Sequence, residues 1–167
     1  MGPIQLLALA FDGNRFRGEI LPELERLKRD RVVRIIDLLV VRKDGEGNVM
    51  VTTGSDLDWE EASALGAFFG AVAGYESGGP EGAERGAIAG AAELADGHVF
   101  DEDDVFRVTQ ALPNNETAAL ALIEHLWAVP LLEAVQRADG YELMNDWLRP
   151  QDILRIDHES PPERSRD

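Results

Sequence analysis

The sequence predicts an α+β fold in which two β-α-β units flank a helical insertion. Apolar runs typical of strands occur towards both ends of the chain, and each is followed by a segment with helical spacing. Residues 56–112 between the two units are too many for a loop and carry glycines at regular intervals. With 167 residues, the chain is long enough for one domain with a substantial core.

The first unit begins with a strand predicted over residues 4–11. A helix is predicted over residues 18–30, where leucine and isoleucine recur at helical spacing. Residues 32–41 (VVRIIDLLVV) are almost all apolar, which is typical of a central strand covered on both faces. We expect Arg34 and Asp37, which interrupt this run, to lie towards the ends of the strand or on a partly open face.

A hairpin and the second unit complete the sheet. Residues 43–48 (KDGEGN) predict a hairpin loop, with residues 49–53 as the returning strand. Residues 116–127 fit either a strand or a helix, and we favour a strand because proline and asparagine bound the segment. A helix over residues 131–140 and a final strand over residues 141–148 follow.

Two tandem β-α-β units predict a ferredoxin-like sandwich, with a glycine-rich helical hairpin and one further helix inserted between them. Gly78-Gly79-Pro80 is expected to separate the two helices of the hairpin. Asp101 to Asp104 are expected to start the further helix. The prediction is a single domain over residues 1–155 and a flexible polar tail over residues 156–167.

Two runs of glycine within the insertion are spaced every four residues. Each glycine in a helix interior costs about 1 kcal/mol relative to alanine, so a regular row predicts that another backbone packs closely against it. The packing is either within one chain or between copies. An apolar face opposite the first run, with Phe68 and Phe69, favours assembly between copies. The six glycines are Gly66, Gly70, Gly74, Gly82, Gly86 and Gly90.

A membrane-spanning role is not predicted for this insertion. Residues 62–75 are uncharged over only 14 positions, whereas a spanning helix needs about 20. The second run contains Glu84, Arg85 and Glu93. Insertion of the phenylalanines into a membrane surface is kept as an alternative.

The charge of the chain excludes one class of partner. Its formal net charge is −16, and residues 51–160 carry 22 Asp/Glu against five Lys/Arg. Such a surface repels phosphate backbones, so nucleic acid is not an expected partner. The absence of cysteine excludes disulfides and thiolate metal sites. The first residues show no basic segment or cleavage signal of a secretory leader, which favours the cytoplasm.

No catalytic motif is present, and neither a metal nor a cofactor is predicted. The histidines show no spacing that would place two metal ligands on one helical face. On a strand, Glu124 and His125 would point to opposite faces. We retain His125, Glu124 and His98 as candidates for binding an unidentified small ligand. No catalytic residue is assigned.

The sequence also resembles two bacterial families of unknown function, numbered 6325 and, more distantly, 1269. The resemblance covers about residues 2–150 and implies no activity and no catalytic residues. It supports the predicted architecture and a bacterial source. The segments that carry it are GPI at residues 2–4, FDGNRF at 11–16, IIDL at 35–38, KDGEGNV at 43–49 and IEHLWA at 123–128.

The leading hypothesis is a non-enzymatic cytoplasmic protein that forms homo-oligomers through its glycine-faced helices. The first alternative is an enzyme on a ferredoxin-like sheet that binds a small ligand or a metal. The second alternative is a peripheral membrane protein.

Overall fold

A computed structural model describes residues 1–14, 19–94 and 96–141 of the chain. Within these residues it has the α+β class that the sequence predicts, with one four-stranded sheet and four α-helices. A single 3-10 turn, Leu126–Ala128, follows the last strand. The elements in chain order are β1 (Ile4–Asp12), α1 (Ile20–Arg29), β2 (Val33–Lys43), β3 (Val49–Gly54), α2 (Trp59–Glu93), α3 (Glu102–Ala111), β4 (Glu116–His125) and α4 (Val129–Arg137).

The sheet has the strand order β1-β4-β2-β3, and all neighbouring strands are antiparallel. Because β1 and β2 both pair antiparallel with β4, they run parallel to each other, and α1 connects them. This arrangement confirms the first β-α-β unit, the hairpin strand β3 and the choice of a strand for β4. Apart from Tyr141, the final strand predicted over residues 141–148 lies outside the described residues. The predicted tail lies outside them as well.

Helix α1 covers one face of the sheet. Val33 and Ile35 of β2 and Ile123 of β4 form a buried cluster on this face, and Leu24 and Leu27 of α1 pack against it. The apolar spacing of α1 therefore places Leu24 and Leu27 against the sheet, where each is half-buried and contributes less than full burial would, which is about 1.5 to 3 kcal/mol.

Helix α3 covers the opposite face of the sheet. Leu39 and Val41 of β2 are buried there with Leu112, and Val105 and Val108 of α3 pack against them. Strand β2 is thus covered on both faces, as its apolar sequence predicts.

The prediction that Asp37 lies towards an end of its strand or on a partly open face is wrong. Its side chain lies in the middle of β2 and only 1% of the residue is exposed. The pairing of β2 with β4 shifts register between Ile35 and Asp37, and this irregularity places the carboxylate beneath the segment that follows α2. Arg34 lies near the start of β2 with a partly exposed side chain, as expected.

Helix α2 begins with a capping box. The Asp58 carboxylate accepts from the backbone N–H of Glu61, and the Glu61 carboxylate accepts from the backbone N–H of Asp58. The backbone leaves helical angles at Gly78 and Gly79, where φ is −151° and 59°. Since φ at Gly79 is in the left-handed region, glycine suits this position. The interruption divides α2 into a first arm (residues 59–77) and a second arm (residues 80–93).

The six spaced glycines face one another within the chain. A Cβ atom added to any one of them would overlap the backbone carbonyl oxygen of its partner, so the two backbones are in direct contact. Because the partners follow in reverse order, the arms run antiparallel. The facing pairs are Gly66 with Gly90, Gly70 with Gly86, and Gly74 with Gly82.

The chain divides into two compact units, Met1–Leu132 and Glu133–Asp167, with the boundary inside α4. In the second unit, the backbone N–H of Gly140 donates to the carbonyl of Val135 at 2.9 Å, which closes the end of the helix near the predicted glycine. Among the described residues, no helix is long and apolar enough to cross a membrane.

Candidate functional site

A partly buried ion pair joins the two central strands on the face away from α1. Arg34 of β2 lies directly opposite Glu124 of β4 in the strand register. The side chain of Glu124 is only 3% exposed, and its Oε2 lies 3.0 Å from Nε and 2.8 Å from Nη2 of Arg34. The other carboxylate oxygen accepts from the backbone N–H of Gly2 at 2.7 Å. Both oxygens of the buried carboxylate therefore have partners, as a buried charge requires.

The same arginine connects the sheet to the start of α2. Its Nη1 donates to Oε1 of Glu61 at 2.7 Å, and the Glu61 side chain is 44% exposed. One guanidinium is therefore shared by two carboxylates. Glu61 is the more accessible of the two, while Glu124 is fixed in the sheet.

A cavity of about 360 Å³ lies beside this shared guanidinium. Such a volume is at the lower end of the range of about 300 to 1,000 Å³ typical of small-molecule sites. Arg34 and Glu61 provide its charged lining. The rest of the lining is apolar and comes from Met1, Ile36, Leu57, Ala64, Leu65 and Phe68.

A second polar cluster surrounds Asp37. Its carboxylate accepts from the backbone N–H groups of Val99 and Phe100, each at 2.7 Å, and its Oδ1 lies 2.9 Å from Nδ1 of His98. These bonds attach the segment after α2 to the centre of β2. His98, a predicted ligand candidate, therefore contacts a buried carboxylate, which fixes the orientation of its imidazole ring.

His125 belongs to a third cluster, on the opposite side of β4 from Glu124. Its Nε2 lies 3.1 Å from Oε1 of Gln5, and its Nδ1 lies 3.4 Å from Nε1 of Trp127. The indole is a donor, so Nδ1 is assigned as the acceptor and Nε2 as the donor of a neutral ring. Burial lowers the pKa of His125, which also favours the neutral form.

The structure thus distributes the three ligand candidates over separate clusters. Glu124 pairs with Arg34, which lines the cavity, whereas His98 contacts Asp37 and His125 contacts Gln5 and Trp127. Within the described ranges, no group of three or more His, Asp or Glu side chains is arranged to hold a metal ion.

The predicted assembly residues are spread over both arms of α2. The glycines of each arm face those of the other, while Phe68 and Phe69 of the first arm are 55% and 40% exposed. Val72 and Tyr75 are exposed as well. At 100° per residue, Phe68, Val72 and Tyr75 lie opposite the glycine side of this arm. We call Phe68, Phe69, Val72 and Tyr75 the outer face.

Sequence reasoning missed the roles of Arg34, Glu61 and Asp37. A signal was present, because an arginine and an aspartate inside an apolar strand require buried partners. The matching acidic residue, Glu124, occurs inside another strand. What the sequence does not show is the strand register, which places Arg34 opposite Glu124.

Comparisons with protein-family models, curated proteins and solved structures find no match to this chain. The resemblance to the two bacterial families therefore stays a prediction.

Proposed function

We propose that the protein is a non-enzymatic, self-associating protein that assembles through α2. The observation that carries this proposal is the exposed outer face of the first arm. Large exposed apolar side chains that are contiguous mark interaction surfaces more often than scattered ones do. No charged residue occurs between Ala62 and Tyr75.

In this proposal the two arms form a helical hairpin, and the glycines have an indirect role. Their contacts with one another leave no room for a second copy between the arms. The glycine contacts keep the first arm close to the second, and the outer face is then presented to another molecule. Assembly therefore uses Phe68, Phe69, Val72 and Tyr75 rather than the glycine side itself.

A second copy is a better partner for the outer face than a lipid surface. Glu60, Glu61 and Glu76 flank the uncharged stretch, and an anionic membrane would repel them. Two copies would also repel each other through these carboxylates, but salt screens that repulsion while it leaves apolar contacts in place. We therefore expect self-association to strengthen as salt is raised from about 0.02 M to about 0.5 M.

Sedimentation velocity over a range of protein concentrations tests this proposal. The double variant Phe69→Ser/Val72→Ser is expected to be monomeric where the wild type is dimeric or larger. Phe106→Ser on α3 is the matched control, because Phe106 is also an exposed phenylalanine, at 64%. A wild type that stays monomeric at all concentrations, or equal effects of both variants, would contradict the proposal.

A liposome flotation assay addresses the membrane alternative. We expect the protein to stay at the bottom of the gradient with both neutral and anionic vesicles. Flotation that is lost in Phe69→Ser/Val72→Ser would assign the outer face to a lipid surface instead.

We further propose that the sheet is part of a ferredoxin-like sandwich. The support is the split β-α-β unit of β1, α1 and β2, with β4 between the two parallel strands. The cytoplasmic location and the bacterial source also stay predictions.

A further inference from the structure

We propose that the outer face of α2 in one copy of the chain packs against a bare strip of the sheet in a second copy. The strip consists of Leu6, Ala8 and Ala10 of β1. This inference rests on the proposed self-association, and it names the surface of the partner that receives the outer face. The resulting assembly is a dimer in which the same contact is made twice.

Strand β1 presents the strip on the face of the sheet away from α1. Leu7 packs against the cluster beneath α1, and side chains alternate along a strand, so Leu6 and Ala8 point to the other face. Leu6 is 62% exposed, and Ala8 and Ala10 are exposed as well. The cluster under α3 draws its sheet residues from β2 and β4. An apolar surface of β1 therefore stays accessible to another molecule.

The shape of the strip suits the aromatic side chains of the outer face. Ala8 and Ala10 each carry a single methyl group, and Ala10 lies opposite Ala118 in the strand register. These small residues form a shallow hollow, and Leu6 with its register partner Leu122 lies at one end of it. A phenylalanine ring from a second copy would fill the hollow, as aromatic side chains commonly do at the centre of an interface.

The outer face and the strip lie on the same side of the unit Met1–Leu132. Phe68 of the outer face lines the cavity together with Arg34 of β2. Arg34 lies opposite Glu124 of β4, and Glu124 lies opposite Ile4 of β1. The strip begins two residues further along β1. A twofold axis between the two surfaces therefore brings the outer face of each copy onto the strip of the other.

The lack of charge on both surfaces favours a second copy as the occupant of the strip. Residues 4–11 of β1, 117–123 of β4 and 62–75 of α2 contain no charged side chain. Because the whole chain has a net charge of −16, two copies repel each other least where such surfaces meet. Pairing of two outer faces would leave the strip exposed, whereas the reciprocal contact buries both apolar surfaces.

Two leucines of β1 provide a matched pair of variants for sedimentation velocity. Leu6→Ser should raise the dissociation constant of the dimer at least about tenfold, because each dimer loses two leucine contacts. Leu9→Ser is the control, because Leu9 is 42% exposed on the same strand but lies on the face of Leu7. Its dissociation constant should stay close to that of the wild type, and thermal unfolding verifies that both variants are folded. Equal effects of the two variants would overturn the inference.

Cysteine cross-linking identifies which surfaces meet, because the natural chain contains no cysteine. The single variants Leu6→Cys and Val72→Cys are mixed, one of them labelled with heavy nitrogen, and treated with a short bis-maleimide. We expect cross-linked pairs of one chain of each kind to exceed pairs of like chains, as mass spectrometry of the products would show. If Val72→Cys cross-links mainly to itself, two outer faces meet each other, and the inference is overturned.

The outcomes separate this inference from the proposed function. If the wild type dimerises, and dimerisation is lost in Phe69→Ser/Val72→Ser but kept in Leu6→Ser, the outer face is retained and the strip is overturned as its partner. If the wild type stays monomeric at all concentrations, both proposals are overturned. Loss of the dimer in both variants, with the Leu9→Ser control unaffected, supports the reciprocal contact.

Discussion

The centre of the sheet and the two arms of α2 achieve close packing by opposite means. In the sheet, large side chains fill the space on both faces, and two carboxylates are buried among them with complete sets of partners. In α2, six glycines remove the side chains, so that backbone meets backbone. One region is specified by what its side chains contact, and the other by where side chains are absent.

This difference decides which region has surface left for a partner. Strands β2 and β4 are covered by helices on both faces, so little of their apolar surface remains. The arms use only their glycine side on each other, and the outer face of the first arm stays exposed. Substitutions that act on one region alone test this difference.

Removal of the shared guanidinium should have the largest effect. Arg34→Ala leaves the Glu124 carboxylate buried without its ion-pair partner, and the free energy of unfolding should fall by about 3 to 5 kcal/mol. Urea denaturation measures this change. Arg42→Ala on the same strand is the control, because Arg42 is exposed and its loss should cost no more than about 0.5 kcal/mol. Equal losses would remove the distinction between the two arginines.

Truncation of one aliphatic side chain in each region should give a smaller but clear contrast. Leu39 is 1% exposed and Val72 is 49% exposed. Leu39→Ala should lower the free energy of unfolding by about 3 kcal/mol because it leaves a cavity in the core. At protein concentrations low enough for the chain to be monomeric, Val72→Ala should lower the free energy of unfolding by less than about 1 kcal/mol. A loss at Val72 as large as that at Leu39 would mean that the outer face is buried within the monomer.

The glycine contacts predict the sign of the stability change that an added methyl group causes in α2. Helix propensity alone would make Gly70→Ala stabilising by about 1 kcal/mol. The added Cβ would overlap the carbonyl of Gly86, and overpacking of this kind costs about 1 to 3 kcal/mol. We expect a net loss of stability of about 1 kcal/mol, measured by thermal unfolding. At Gly45, where an added Cβ meets nothing within 4 Å, Gly45→Ala should be nearly neutral. Stabilisation by Gly70→Ala would contradict the backbone contact.

The smallest expected effect is a pH dependence that belongs to the sheet. Burial lowers the pKa of His125 from its ordinary value of 6.5, so the unfolded chain takes up this proton at a higher pH than the folded chain. The free energy of unfolding should therefore fall as the pH drops below about 6.5, by less than about 1 kcal/mol from this group.

His125→Gln should flatten that part of the profile between about pH 7 and about pH 5.5. An identical slope in the variant and the wild type would assign the pH dependence to other groups. The arms of α2 contain no histidine, so substitutions there should shift the profile without changing its slope in this range.

Much of the local structure could be predicted from residue patterns. The strands β1, β2 and β3 and the helix α1 follow from apolar spacing and turn residues, and β4 was distinguished from a helix by the proline and asparagine around it. Asp37 was placed wrongly because strand patterns cannot show a register shift in the middle of β2. The candidate site was predicted only in part, since Glu124 was selected without Arg34 or Glu61.

The sequence by itself determined where the described strands and helices form, where Gly78 and Gly79 interrupt α2, and that the spaced glycines need a backbone beside them. These features depend on residues close together in the chain. Only the tertiary structure decided that Arg34 lies opposite Glu124, that Asp37 holds the segment after α2, and that the glycines face their own chain. Such pairings join residues distant in sequence, and they exist only once the strands have chosen their neighbours and the two arms have met.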